Sequence, residues 1–362
     1  MVAHDLDSTL LTAHGRKYAL ASRADMALWS LQRSPIATWR SPARFGSLSA
    51  REINATDADI VNLHWVTNGF LSIEEIGKIT KPLVWSLYDM WAFCGTEHYG
   101  VDSKDARWRE GYAKENRPHE ETGLDIDRTA WERKRKLWHA APVVPASTWL
   151  TRAAQDSALM RDWPITRIPH VIDTSDFTPT QSSATAPTIV FLSSAGIDDQ
   201  RKGFDLLEQA LPVVAQRIPG LRLSIVGPRQ EDKLTAAGVP IDWIGTIDGN
   251  EALRAAYCSG DVVAVPSRED NMPLTAMEAQ TCGRPVVAFK IGGLPDIVSH
   301  HETGYLAEPF DTDSLARGLI QAIEDSQHNN AWGRAARERA LRTWSSEVVV
   351  SQYLEVYRQA LA

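Results

Sequence analysis

Hydrophobic positions along the chain gather into short apolar runs separated by amphipathic stretches. In the second half the alternation is regular. Thr188 to Ser193, Leu221 to Val226, Ile241 to Ile244, the run from Asp261 to Val265, and Pro285 to Phe289 read as strands buried on both faces. Helical patterns intervene from Phe204, over 250–258 and over 273–281, and three closing helices start near Asp311, Ala331 and Ser346. Strand and helix in strict alternation predict an open parallel sheet covered by helices on both faces.

The first half is less regular. Ile60 to Trp65 reads as a strand, Ile73 to Ile79 as a short helix and Leu83 to Leu87 as a second strand, the spacing of a parallel βαβ unit. Further on come a strand over Pro142 to Ala146, a helix over Thr148 to Met160 and a last short strand over Ile165 to Pro169. Arg23 to Arg33 and Arg128 to Trp138 are helix-like. The Thr-, Ser-, Ala- and Pro-rich stretch from Thr178 to Pro187 marks the linker. The class is therefore α/β, with domains over 1–172 and 173–345 and a terminal helix over 346–362 that packs back on the first.

Composition narrows this picture. With 362 residues, 43% of them hydrophobic, the chain can bury two full cores and is no disordered protein. The net charge of −8 is uneven: residues 1–170 hold 22 Lys and Arg against 21 Asp and Glu, and residues 171–362 hold 16 against 25. An acidic total without a basic motif argues against nucleic acid. The three cysteines, an odd number without metal-ligand spacing, read as reduced thiols of a cytoplasmic protein. No apolar run approaches a membrane span and no signal peptide opens the chain. Trp29 and Trp39 sit among Arg33, Arg40, Arg44 and Arg51, and Trp131 and Trp138 lie on a helix with Arg128, Arg133, Lys134, Arg135 and Lys136. Such a surface suits peripheral contact with a membrane. The commoner reading of the same residues is indoles packed inward beside a solvated basic face.

Three places carry candidate chemistry. The run ending at Val265-Pro266 opens into a polar loop and then a helix, with Asn271 as cap and Pro273 in the first turn, and unbonded amides at such a helix start favour an anion. Asp270 and Glu278, with seven residues between them, can both face the carboxyl end of that strand, where carboxylates accept from vicinal hydroxyls. Arg201-Lys202-Gly203, between the first strand and helix of the same domain, sets two fixed cations beside a glycine and suits a diphosphate. The loop from Tyr88 to Tyr99 leaves the carboxyl end of a strand and is either an acceptor site or an aromatic mini-core under a surface loop.

Together these pieces resemble the retaining glycosyltransferases of family 4, of the surface-polysaccharide type, which have the GT-B fold of two facing Rossmann-like domains. The likeness rests on Trp85 to Phe93, Ile168 to Asp173, Arg201-Lys202-Gly203 and Pro266 to Asp296. It implies a GDP- or UDP-sugar donor and a glycan or lipid-linked acceptor, in bacterial polysaccharide assembly. Arg201 and Lys202, beside Gly203, would hold the diphosphate and steady the leaving group, doing the work of a metal ion, so no metal is implied. Glu278 would take the ribose, and Gly227 and Ile244 would border the base. Asp270, with the backbone at Asn271, Met272, Pro273 and Leu274, would hold the donor sugar. The resemblance also implies retention by front-face attack through a short-lived oxocarbenium-like ion pair.

Three departures stand out. Asp270 replaces the Glu of most members. Tyr88, before Asp89, replaces a His that contacts the donor sugar, with His98 as a substitute. Met1 to His4 resembles the family's second strand, so the first strand-helix unit is expected to be absent from these residues, either because the true start lies upstream or because the first domain is rearranged; its loss would leave an unpaired edge and apolar surface. The last two departures support a second reading, a non-catalytic sugar-nucleotide-binding or partner subunit. A GT-B epimerase or phosphorylase is a third; a phosphorylase would need a pyridoxal-phosphate lysine that the sequence does not identify.

Overall fold

The computed structural model describes residues 10–12, 15–34, 38–180, 186–230 and 234–362, so the strand resemblance of Met1 to His4 lies outside the described residues. The chain divides into two compact units, one of residues 1–168 with 352–362 and one of 169–351. The division at Ile168/Pro169 precedes the Thr178 to Pro187 stretch expected as the linker, and the terminal helix, Ser346–Leu361, is shared between the units.

The first unit holds a parallel three-stranded sheet in the order β1-β2-β3, formed by Val61–His64, Leu83–Leu87 and Val143–Pro145. Both sheets are Rossmann-like, the fold class the sequence implies. Among the described residues β1 is an edge strand, and an apolar cavity of about 420 Å³ runs along it, lined by Leu10, Ile53, Val61, Leu63 and Phe70.

Several local assignments change. The expected strand over Ile165 to Pro169 is a single bridge between Ile165 and Val143. The first helix spans Gly15–Trp29 rather than Arg23 to Arg33, because Gln32–Arg33 pairs in antiparallel fashion with Thr122–Gly123. The helices after β1 and β3 are shorter than expected, Ile73–Ile76 and Thr148–Asp156.

The helix Ile126–Leu137 corrects the reading of a basic face. Trp131 and Trp138 are buried, and so is Lys134, which points inward from the middle of its supposed solvated stripe. Its ammonium donates to the carbonyls of Trp91, Cys94 (3.1 Å) and Gly95 (2.8 Å) and lies 3.8 Å from the centroid of the Trp91 ring. Arg133 instead pairs with Glu74 (2.5 Å). The indoles of Trp85, Trp91 and Trp138 pack together with centroids 4.8 to 6.4 Å apart, so Trp91 of the loop after β2 belongs to an aromatic mini-core. Membrane contact through Trp131 and Trp138 is therefore not available. No helix among the described residues is long and apolar enough to cross a membrane.

The long segment 100–127 is held by buried polar pairs. Arg107 grips Asp125 (2.7 Å), and Arg40 bonds Asp127, which also takes Gln32 (2.6 Å) and Thr96. Glu97 lies in this group, its carboxyl pushed up to about 7 by burial and by Asp127.

The second unit holds a seven-stranded sheet. Its strands are β4 Thr188–Leu192, β5 Arg222–Val226, β6 Thr235–Ala236, β7 Val239–Gly245, β8 Val262–Val265, β9 Val286–Phe289 and β10 Gly304–Ala307. The order is β10-β9-β8-β4-β5-β7-β6, parallel throughout except for the antiparallel β6–β7 edge. Strands β6 and β10 lack apolar runs long enough to signal themselves. Strands β4, β8 and β9 are wholly buried, which is why their sequences run apolar without alternation. From β4 the chain builds outward through β5 and β7, then returns to lay β8 on the other side of β4. The crevice outside the carboxyl ends of β4 and β8 is thus the switch point where open α/β sheets bind ligands.

Candidate functional site

The loops leaving β4 and β8 bring the expected charges together at that switch point. After β4, Gln200–Lys202 forms a single 3₁₀ turn closed by Gly203. Gly203 has φ +68°, and a Cβ there would lie 2.0 Å from the Pro266 carbonyl oxygen. Only glycine lets the cationic turn rest against the end of β8. After β8, Asp270 is buried, and its backbone is pinned by Gly292, where a Cβ would meet the Asp270 carbonyl at 2.0 Å, and by the Gly293 amide at 3.2 Å.

Lys202 Nζ reaches Asp270 Oδ2 at 2.9 Å, and Arg201 reaches the same oxygen at 3.5 Å. Ser267 Oγ stands 3.5 Å from it. Two cations therefore converge on one carboxylate oxygen, and none of these contacts uses Oδ1. The Arg201 side chain is 40% exposed, so its guanidinium has access to a solvent-borne anion.

Arg268, inside the quoted motif but given no role by sequence reasoning, ties the two loops together. Its amide donates to the Arg201 carbonyl (2.8 Å), and its guanidinium to the Gln200 carbonyl (2.8 Å) and bidentately to Asp205 (2.6 and 2.7 Å). This clamp holds the 3₁₀ turn in register with the β8 loop.

The helix after the loop is Leu274–Thr281, one residue shorter than expected. Asn271 is not its cap. Pro273 takes the N-cap position and, having no side-chain acceptor, gives no capping bond. Ala276 and Met277 donate to the Pro273 carbonyl (3.1 and 3.3 Å), so the amides of Leu274 and Thr275 are the ones left without a partner inside the helix. Asn271, Met272 and Pro273 are buried and Leu274 is exposed.

Glu278 lies on the second turn, half-buried, and accepts from the hydroxyl of buried Tyr257 at 2.7 Å. Burial holds its carboxyl above the usual range, against the lowering effect of that bond. Tyr257 belongs to the neighbouring helix Asn250–Cys258, and nothing local in its sequence marks it. Gly227 follows β5 and donates to the Gly245 carbonyl at the end of β7 (3.0 Å), and Ile244 beside it is exposed.

In the first unit Tyr88 and Asp89 follow β2. His98 is buried and does not take the place of the family histidine: its Nδ1 bonds Asp89 Oδ2 (2.6 Å) and its Nε2 bonds Ser41 Oγ (2.9 Å). Both ring nitrogens are spent on holding the loop. The imidazole beside Tyr88 is another one, His64 at the end of β1, with Nδ1 2.9 Å from the Tyr88 hydroxyl. The expected strand from Ile60 to Trp65 contained it but gave it no mark of its own.

A parallel α/β sheet with paired cations, an acid and a helix start gathered at its switch point defines an anion-binding, nucleotide-type α/β unit. Residues 186–325 match the family described as Glycosyl transferases group 1. Over 188 residues, 48% of this chain and 43% of the relative, it is 34% identical to D-inositol 3-phosphate glycosyltransferase of Saccharomonospora viridis. Over 158 residues, 42% of this chain and 29% of the relative, it is 33% identical to sulfoquinovosyl transferase of Arabidopsis thaliana. The chain thus spans less than half the length of these curated relatives. A solved structure of Anabaena HepE in complex with UDP has the same fold, with a TM-score of 0.60 at 19% identity over 86% of this chain and 82% of that one.

Proposed function

We propose that this protein transfers a hexosyl group from a UDP- or GDP-sugar to a glycan or lipid-linked sugar acceptor. The convergence of Lys202 and Arg201 on Asp270 at the β4–β8 switch point carries the reading. In the complex a diphosphate takes the two cations from the carboxylate, and Asp270, released from them, accepts from hydroxyls of the donor sugar. The amides of Leu274 and Thr275 add donors beside the positive end of their helix. Glu278, steadied by Tyr257, accepts from the ribose. Because fixed cations meet the leaving charge, the reading calls for no divalent ion. It keeps the anomeric configuration through front-face attack, as the family likeness implies, and a cytoplasmic setting in bacterial polysaccharide assembly.

A screen of nucleotides and nucleotide sugars by thermal shift tests this. A donor at about a hundredfold its Kd adds about 2.7 kcal/mol to the unit that binds it, a rise of several degrees. If no UDP- or GDP-compound raises the melting temperature, the reading fails. The second reading, a binding subunit without turnover, draws on Tyr88 in place of histidine and separates cleanly: donor would bind, and no nucleotide would be released.

Glu278→Gln should weaken donor binding about tenfold, because a charge-assisted bond to the ribose becomes a neutral one. Only the carboxylate form accepts from both ribose hydroxyls, and its pKa is raised. Donor affinity of the native protein should therefore decline on acidification sooner than an ordinary glutamate would dictate, and Glu278→Gln should be flat over the same range. Calorimetric titrations with equal heats and affinities for both forms would contradict the role.

A further inference from the structure

The two donor cations sit on a turn too short to orient itself. In the 3₁₀ turn Gln200–Lys202 the Lys202 amide donates to the Asp199 carbonyl (2.9 Å) and the Gly203 amide to the Gln200 carbonyl (3.3 Å). The Asp199 carboxylate caps the Arg201 amide (3.0 Å). A single 3₁₀ turn has poorer hydrogen-bond geometry than an α-helix. Where Lys202 and Arg201 point is therefore decided by what the turn rests on.

Arg268 is that support. It stands two residues before Asp270 in the loop after β8, and its amide and Nη1 reach the backbone carbonyls of Arg201 and Gln200. These bonds leave the Arg201 and Lys202 side chains to Asp270. The other half of the clamp, Asp205, lies in the first turn of the helix Phe204–Arg217 that follows Gly203. Arg268 thus joins the cationic turn and the helix behind it to the same loop that carries the acid.

A third cation beside a diphosphate site either meets the anion or holds the groups that do. Here the bonds decide. Asp205 engages both terminal nitrogens of Arg268, Nη1 at 2.7 Å and Nη2 at 2.6 Å, and Nη1 is shared with the Gln200 carbonyl. This bidentate contact is the strong geometry for such a pair, and it holds the Asp205 carboxyl below its usual range. A phosphate approaching Arg268 would meet the negative charge of Asp205 and would have to displace two charge-assisted bonds. We propose that Arg268 and Asp205 are positioning residues for donor activation: the pair registers the 3₁₀ turn against the β8 loop, so that Lys202 meets the leaving oxygen of the same donor whose sugar Asp270 holds. Neither residue touches the donor. The inference rests on the transferase reading above and deepens it by naming what sets the cations and the acid in one frame.

The test follows nucleotide release from UDP-glucose or GDP-mannose, whichever stabilises the native protein, to water or to a methyl hexoside, beside calorimetry of donor binding. Arg268→Met keeps the stem and loses the fork. It should lower kcat about 10- to 10²-fold, the effect of a misplacement of about 1 Å, while donor Kd rises less than about threefold. The ion pair is partly exposed, so the melting temperature should hardly move. Arg268→Lys, which keeps the charge without the fork, should fall between Met and native. Asp205→Asn should lower kcat in the same direction, and the double variant should be no worse than Arg268→Met, because the two act through one contact. In a Lys202→Ala background Arg268→Met should cost less than about threefold, because the group it positions is gone. A donor Kd that rises as far as kcat falls would make Arg268 a phosphate ligand and overturn the proposal. A native kcat in Arg268→Met, or the same loss with and without Lys202, would overturn it as well. A native protein that binds no donor, or binds it and releases no nucleotide, fails before any variant is made; there the transferase reading falls, and this role with it.

Discussion

Lys202→Ala should lower kcat for sugar transfer about 10²- to 10³-fold, the usual loss when one preorganised charge at a developing anion is removed, while donor Kd rises less than about tenfold. The asymmetry follows from where charge appears. On the proposed reading the diphosphate is already anionic in the ground state and would be shared between Arg201, Lys202 and the first amides of the Leu274–Thr281 helix. As the glycosidic bond breaks, further negative charge builds on the leaving oxygen, and interactions that strengthen there act on kcat. Lys202 is the better placed of the two cations. Its ammonium is mostly shielded and held at 2.9 Å by Asp270, whereas Arg201 is more exposed and 3.5 Å away. Steady-state kinetics beside calorimetry of donor binding decide the matter. Equal losses in kcat and in affinity would make Lys202 a simple binding group, and Lys202→Arg, which keeps the charge but not the point geometry, should fall between the two.

Lys134→Met should cost the first unit about 1–3 kcal/mol, the penalty for leaving buried acceptors without their donor. Methionine fills nearly the same volume, so the loss is not one of packing. It comes from the carbonyls of Trp91, Cys94 and Gly95, which lose their donor and stay buried. Burial lowers the Lys134 pKa to about 7, yet three carbonyl oxygens and the Trp91 face favour the ammonium that donates to all of them. These carbonyls belong to the turn between Asp89 and His98, so the same change should loosen the Asp89–His98 contact. Urea denaturation of Lys134→Met and of Arg135→Met, its exposed neighbour, gives the comparison: Arg135→Met should lie within about 0.5 kcal/mol of the native protein. A Lys134→Met as stable as native would mean that water satisfies those carbonyls.

Lys202 was legible because a charged pair followed by glycine stood in the loop between an apolar run and a helix, a local pattern with a local cause. Lys134 was misread because it stands in a run of basic residues, and the helix rotation that buries one of them depends on the core it packs against. His98 was misread for a related reason. Its sequence position is close to Tyr88, but the loop returns it to Asp89 and Ser41, and the histidine that reaches Tyr88 comes from the neighbouring strand. Tyr257 and Arg268 left no signal because each acts on a group brought near by the stacking of loops and helices.

By itself the sequence determined the alternation of buried strands and helices in the second unit, the βαβ start of the first, and the ends of strands where Pro266, Gly227 and Gly245 interrupt apolar runs. Burial on both faces of a parallel sheet demands unbroken apolar stretches, and that demand is written residue by residue. Only the tertiary structure decided which polar groups meet: Lys202 with Asp270, Tyr257 with Glu278, His64 with Tyr88, and Lys134 with the carbonyls after β2. These partners are set by strand order and helix rotation across long separations, and no local periodicity encodes them.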